Sequence, residues 1–359
     1  MSFVTRIVKI EDSEIKAIEV LSLTSESTLL YTSLNYMKLL KNFLQCEILI
    51  IQAIENERII AYLPLAFKNS ITGTVCNSLP FYGSNGGIII SPSSENKEEI
   101  LSALNVEYQK LVAEKNCISS TIISNPLDGE MNQWLNDNLA YDFVDERIGQ
   151  VTFFPELKEN LEVDLLNSFE NPRPRNIRKA LKEGVRIHSS NSNESMDFLY
   201  KVHYDNIMAI GGIPKEKRFF DLIPSFFSDN EYKIYISEYN GERIGALLLF
   251  YYNRTVEYFT PAVVEKYRNL QPTALIIYEA MIEAIKGGYR NWNWGGTWLT
   301  QGGVYDFKKK WGTTDNRYFY YTKIYKPEVL NATQDFLLKE YPYFFVVPFS
   351  ALKKEIKND

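Results

Sequence analysis

The stretch from Gly302 to Gly312, GGVYDFKKKWG, sets three consecutive lysines inside an aromatic run. Wound as a helix at about 100° per residue, Val304, Phe307 and Trp311 share one face, and Lys308 lies on its edge. Lys309 then points away into solvent, and Lys310 lies to one side. An ammonium held against rings must find an anion, a carbonyl oxygen or a ring face, or its pKa falls. The alternative is a lysine that packs only its stem and carries its charge out to water. Just upstream, Gly295 and Gly296 let backbone come close to a ligand, and Trp294, Thr297, Trp298 and Trp311 supply walls around it. Lys308 is therefore the candidate for offsetting negative charge on a reacting group. Asp306 and Glu257 are the candidate acids. Glu257 stands inside the apolar run TVEYF, where burial would raise its pKa and let it accept a proton from an amine. It could equally pair with a structural arginine.

Two further stretches carry chemistry. In NPRPRNIRKALKEGVRI (171–187), Pro174 can open a helix and Gly184 can end it. Arg175, Arg178, Lys179 and Lys182 then fall at i, i+3, i+4 and i+7, on one face. Such a stripe either pairs with carboxylates elsewhere in the protein or binds a phosphate-bearing substrate, since guanidinium forks suit phosphate oxygens. In SLPFYGSNGGI (78–88), Gly86 and Gly87 allow backbone to approach a ligand flanked by Phe81 and Tyr82. A plain glycine turn between strands fits the same residues. No helix opens there, so this is not a dinucleotide fingerprint.

The elements that must position these groups alternate between strands and helices. Runs 48–54 and 58–67 predict a hairpin of buried strands. Residues 97–114 predict a helix with Ile100, Leu104, Tyr108 and Leu111 on one face. Residues 117–124 predict a strand. Runs 231–239 and 243–252 predict a second hairpin about Asn240-Gly241, and 255–263 a third strand. A helix from about 272 to 286 starts at Pro272, where a missing N–H costs nothing, and stops at Gly287-Gly288 before a strand at 289–294. The expected fold is α/β (α+β), two mixed-sheet units packed side by side. A boundary near 150–170 gives an N-terminal domain at 1–157 and a C-terminal domain at 158–359, which carries the candidate residues Lys308 and Glu257.

Composition narrows the class. A chain of 359 residues exceeds one ordinary core, and 45% hydrophobic content supports globular folding. A net charge of −6 disfavours general adhesion to nucleic acid or anionic membrane, so an anion site must be a local basic patch. Three scattered cysteines and two histidines have no metal-binding spacing, so neither a metal nor a tightly bound cofactor is expected. No export signal or membrane-length apolar run is evident, which points to a cytoplasmic protein.

The basic helix RPRNIRKALKEGVRI, the block 243–294, the GGVYDFKKKWG run and, in the first half, LPFYGSNGG together resemble the FemAB-like (BioF2-like) acyltransferases of the GNAT superfamily. The likeness spans nearly the whole chain and is most specific over 171–312. It implies two GNAT-type units, with Phe307-Lys308 matching the family's catalytic pair and the arginine-rich helix its anion-contacting segment. It also implies direct transfer of an aminoacyl or acyl group onto an amine of a cell-envelope glycan or peptidoglycan precursor. The donor would be aminoacyl-tRNA or acyl-CoA, and a lipid-linked acceptor would bring transient membrane contact. Two departures stand out. There is no room for the coiled-coil insertion of the peptidoglycan-bridge enzymes. The donor-loop position, Arg268-Asn269-Leu270-Gln271-Pro272-Thr273, lacks the glycines that cradle pyrophosphate. Arg268, Gln271 and Thr273 are the donor-binding candidates there, and the missing glycines favour an aminoacyl donor. Alternatives are an acetyl-CoA-dependent N-acetyltransferase on a nucleotide-linked amino sugar, a non-catalytic carbohydrate- or nucleotide-binding module, and an RNA-binding protein gripping its ligand with the basic stripe.

Overall fold

At Asn56 and Glu57 the backbone takes φ of 47° and 64°, the left-handed pair that a two-residue hairpin turn requires. In a computed structural model describing residues 3–79 and 86–353, this turn joins two antiparallel strands, β2 (Glu47–Glu55) and β3 (Arg58–Ser70). β1 (Val4–Lys9) lies beside β2, and β4 (Gly73–Asn77) and β5 (Ile89–Ile90) beside β3. α1 (Ala17–Ser22) and α2 (Leu34–Leu44) pack on these strands. α3 (Lys97–Glu114) buries Ile100, Leu104, Tyr108 and Leu111, the face its periodicity predicts, against Leu49, Ile51, Leu63 and Leu65. β6 (Cys117–Ile123) runs parallel to β4, and α4 (Gly129–Asn138) follows. Cys46, Cys76 and Cys117 are buried and unbridged.

A second unit begins within β7 (Phe143–Phe153), whose residues from Ile148 onward belong to it. Its helices are α5 (Leu161–Asn167), α6 (Arg173–Glu183), α7 (Asn193–Ala209), α8 (Lys217–Phe226), α9 (Pro272–Lys286) and α10 (Gly302–Lys309). Its strands are β8 (Arg186–Ser189), β9 (Tyr232–Tyr239), β10 (Glu242–Tyr252), β11 (Thr255–Val263) and β12 (Asn291–Trp298). They lie in the order β7-β12-β11-β10-β9-β8. The Asn240-Gly241 turn again takes positive φ at both residues, 50° and 79°. α9 begins at Pro272 as predicted, with Gln271 as its N-cap in the left-handed region. Its apolar face packs Leu275, Ile276 and Met281 into a core with Ile177 of α6 and Trp292, Trp294 and Trp311.

The chain then returns to the first unit. β13 (Thr314–Ile324) pairs antiparallel with β6, from Tyr320 opposite Ile123 to Ile324 opposite Ser119. Beyond α11 (Gln334–Glu340), the Asn77 side chain accepts from the backbone N–H of Phe345 and donates to its carbonyl. The units are therefore Met1–Arg147 with Arg317–Asp359, and Ile148–Asn316. That division differs from 1–157 and 158–359. The cause is non-local: the C-terminal strand satisfies the exposed edge of β6, a pairing that no local pattern announces. Among the described residues, no helix is long and apolar enough to cross a membrane.

Two neighbouring strands of the second unit separate along part of their length. β11 and β12 pair in parallel only from Thr255/Asn291 to Glu257/Asn293, yet β11 runs on to Val263 and β12 to Trp298. β11 stays paired with β10 as far as Val263 opposite Gly245, with a register shift at Leu248/Leu249. β12 bends away at Gly295, whose φ is 71°. The strands part beyond Glu257 and Asn293.

Candidate active site

A cavity of about 470 Å³ lies where the strands separate. Tyr258, Pro261 and Val263 of β11 form one side, and Arg268, Gln271, Pro272, Thr273 and Ala274 at the head of α9 form another. Gly303, Val304, Phe307 and Lys308 of α10, with Arg173 and Trp311, complete it. The three donor-binding candidates, Arg268, Gln271 and Thr273, therefore share one cavity with Phe307 and Lys308.

Lys308 is 6% exposed. Its ammonium donates to the carbonyls of Gly295 (3.2 Å) and Gly296 (3.1 Å) and to Thr297 Oγ1 (2.8 Å). Three acceptors match three N–H bonds, and burial still pulls the amine down to about 8 from 10.5. The two glycines, expected to let backbone approach a ligand, do not line the cavity; their carbonyls hold the lysine. Thr297 passes the contact on by donating to Gln150 Oε1 of β7 (3.2 Å). Lys309, expected in solvent, is partly covered and lies 3.9 Å from Asp315.

Glu257 is buried at 1% exposure but does not line the cavity. Its Oε2 accepts from Asn293 Nδ2 (2.8 Å), and Asn293 Oδ1 accepts from the Gly295 N–H (2.9 Å). A continuous series of bonds therefore runs Glu257–Asn293–Gly295–Lys308. It holds the positive-φ bend whose carbonyl receives the ammonium. Asp306 is exposed on α10 and outside the cavity.

The aromatic wall is built from tertiary contacts. Trp294 and Trp311 stack at 5.7 Å and 26°, and Tyr258 lies 4.8 Å from Trp294. Trp294 Nε1 donates to Thr152 Oγ1 (2.9 Å), which donates to the Trp311 carbonyl (3.0 Å). Trp298, expected in this wall, is 48% exposed and outside it, because β12 has already turned at the glycines.

The basic stripe forms as predicted on α6, with Gly184 ending the helix at φ 83°. Arg175, Arg178, Lys179 and Lys182 are all exposed, and none forms an ion pair among the described residues. None lines the cavity. Gly86 and Gly87 belong to the first unit; a Cβ on Gly86 would fall 1.5 Å from the Ser78 carbonyl oxygen, so packing alone demands glycine there. Phe81 and Tyr82 lie outside the described residues. Among those residues, no group of three or more His, Cys, Asp or Glu could hold a metal.

Several contributors escaped sequence reasoning: Tyr258, Asn293, Gln150, Thr152 and above all Arg173. On a helix Arg173 sits about 200° round from Arg175, off the basic stripe. That offset is the one local sign of a separate task.

Residues 173–309 match the family profile "Acetyltransferase (GNAT) domain". This stretch is a GNAT acetyltransferase domain, and the chain is an acyltransferase. It contains α6, the parting strands, the head of α9 and Lys308. Among solved structures, FemX matches with TM-score 0.70 at 14% identity, over 92% of this chain and 98% of that one. A tandem GNAT protein from the clavulanic acid biosynthesis pathway matches with TM-score 0.53 at 9% identity, over 90% and 98%. At these identities the likeness is one of fold, and it bears out the expected mixed α/β fold of two GNAT-like units. A search of curated protein sequences found no match.

Proposed function

We propose that the protein moves an acyl or aminoacyl group from a donor in the 470 Å³ cavity directly onto an acceptor amine, with no covalent enzyme intermediate. The observation that carries this reading is the meeting of Lys308 with the head of α9 in one cavity between parted strands. A donor anchored at Arg268, Gln271 and Thr273, near the positive end of α9, can set its acyl carbonyl toward Lys308. As the amine attacks, negative charge gathers on that oxygen. The ammonium then shares an N–H with it, exchanging one of the longer contacts to Gly295 or Gly296. Collapse of the tetrahedral adduct then breaks the donor's ester or thioester bond, and the amine's proton leaves with the departing tRNA hydroxyl or CoA thiol. Phe307 and Trp311 keep water from the acyl group, and Trp294 backs them. Glu257 acts as a positioning residue through Asn293 rather than as the base.

The acceptor we infer is an amine on a phosphate-bearing cell-envelope glycan or peptidoglycan precursor, its phosphates drawn to the unpaired stripe Arg175, Arg178, Lys179 and Lys182. GNAT acyltransferases use acyl-CoA as donor. Here the turn before α9 has no glycine, and Pro272 brings no N–H, which supports an aminoacyl donor such as charged tRNA. The second reading, acetyl-CoA-dependent N-acetylation of a nucleotide-linked amino sugar, draws on the acetyltransferase description of the domain. Calorimetry with CoA and acetyl-CoA separates them. Dissociation constants of a few micromolar would establish acyl-CoA, whereas millimolar or weaker binding with label transfer from charged tRNA would support the aminoacyl donor. A Lys308→Met chain that transfers label as fast as the wild type would refute the assignment of the lysine.

A further inference from the structure

The cavity beside Lys308 contains a cation that the transfer reading leaves idle. Arg173, first residue of α6, lies over the rings of Phe307 (4.3 Å to the centroid) and Trp311 (5.2 Å). Its Nη2 donates to the Phe307 carbonyl (2.9 Å), and its buried Nε has no hydrogen-bond partner. Burial lowers its pKa, with only Tyr258 opposing, and no carboxylate lies within ion-pair distance of it among the described residues. The residues lining the cavity include Arg173, Arg268 and Lys308 but no aspartate or glutamate. In a chain of net charge −6, a pocket with only cations is a local inversion of sign.

A half-buried guanidinium without a counter-anion is costly, because removing charge from water is repaid only when an anion or good hydrogen bonds replace the solvent. Aromatic faces repay part of that cost and fix the plane of the fork, leaving its edge to meet a ligand. We propose that Arg173 is an anion-binding residue of this cavity, receiving a carboxylate or phosphate of the bound substrate on the edge of its guanidinium. The inference rests on the cavity being a substrate site and names a charge that the substrate must carry there. The two sources are a phosphate of the donor and a carboxylate of the acyl group or acceptor.

The full chain is titrated calorimetrically with pyrophosphate, N-acetylglycine and N-acetylglycine methyl ester. At least one anion should bind in the low-millimolar range or better, and Arg173→Gln should weaken it about tenfold or more. Arg186→Gln, a charge-matched change at an exposed position, should leave that affinity within about twofold. Preference for pyrophosphate assigns the anion to the donor phosphate, and preference for N-acetylglycine assigns it to a carboxylate. The idea is overturned if neither anion binds below about 10 mM, if the uncharged methyl ester binds as well as the preferred anion, or if Arg173→Gln keeps full affinity. Should Arg173→Gln fail to fold, Arg173→Lys keeps the charge but loses the planar fork. It should then weaken the anion several-fold, and undiminished affinity would count against the proposal. Binding is read without turnover, so a chain that binds anions through Arg173 yet transfers nothing would sink the transfer reading alone.

Discussion

Replacing Lys308 with methionine keeps an unbranched stem in the same space and removes the charge. In the wild type, burial lowers the Lys308 pKa to about 8 from 10.5. Below about pH 8 the amine is protonated in both folded and unfolded chains, so folding carries the full burial penalty. As pH rises from about 8 to 10.5 the folded protein gives up its proton first and the penalty is released, so stability rises with pH. At about 1.4 kcal/mol per pH unit, the gap corresponds to about 3 kcal/mol. The methionine chain has no such release. Against it stand the Gly295 and Gly296 carbonyls and the Thr297 hydroxyl, which lose their donor at about 1–3 kcal/mol each. The mutant should therefore be a few kcal/mol less stable at neutral pH. The decisive quantity is the difference between the chains, measured by urea unfolding at about pH 7.5 and about pH 10.5, which should widen by about 3 kcal/mol in favour of wild type. Lys215, also lowered to about 8, titrates in both chains and cancels. Curves that stay parallel would refute the claim that this ammonium is held charged against burial.

Thr297→Val keeps the shape but removes an acceptor for Lys308 and a donor to Gln150, so it should cost about 1–3 kcal/mol in denaturant and lower kcat. Gly295→Ala puts a Cβ on a residue at φ 71° and should cost about 1–2 kcal/mol, with a loss of turnover larger than the shift in melting temperature implies. Arg175→Glu combined with Arg178→Glu changes two exposed residues without ion pairs, so thermal unfolding should hardly move while the acceptor's KM rises. Truncation after Thr313 deletes β13 and strips β6 of one of its two partners, so amide exchange should show the first unit opening while the second keeps its protection.

Much of the scaffold was legible in the sequence. Helices 97–114 and 272–286 and strand 255–263 fall where periodicity and turn residues put them, because apolar spacing, a proline start and Asn-Gly or double-glycine stops act within a few residues. The buried lysine was also legible: helical spacing separated Lys308 from Lys309. What the sequence could not decide depends on residues far apart in the chain. Asn293 engages Glu257, 36 positions away, at the last paired position before β11 and β12 part, while Thr152 ties Trp294 and Trp311 across more than 140. Glu257 looked like a base and instead holds a bend, since the role of a buried carboxylate is set by the neighbour it meets. Arg173 belongs to a basic run, and although helical spacing sets it off the solvated stripe, only the fold lays it over two aromatic rings. The return of β13 to β6 lies in the same category. An open strand edge is a demand that any distant segment can meet, and only the folded chain shows which one does.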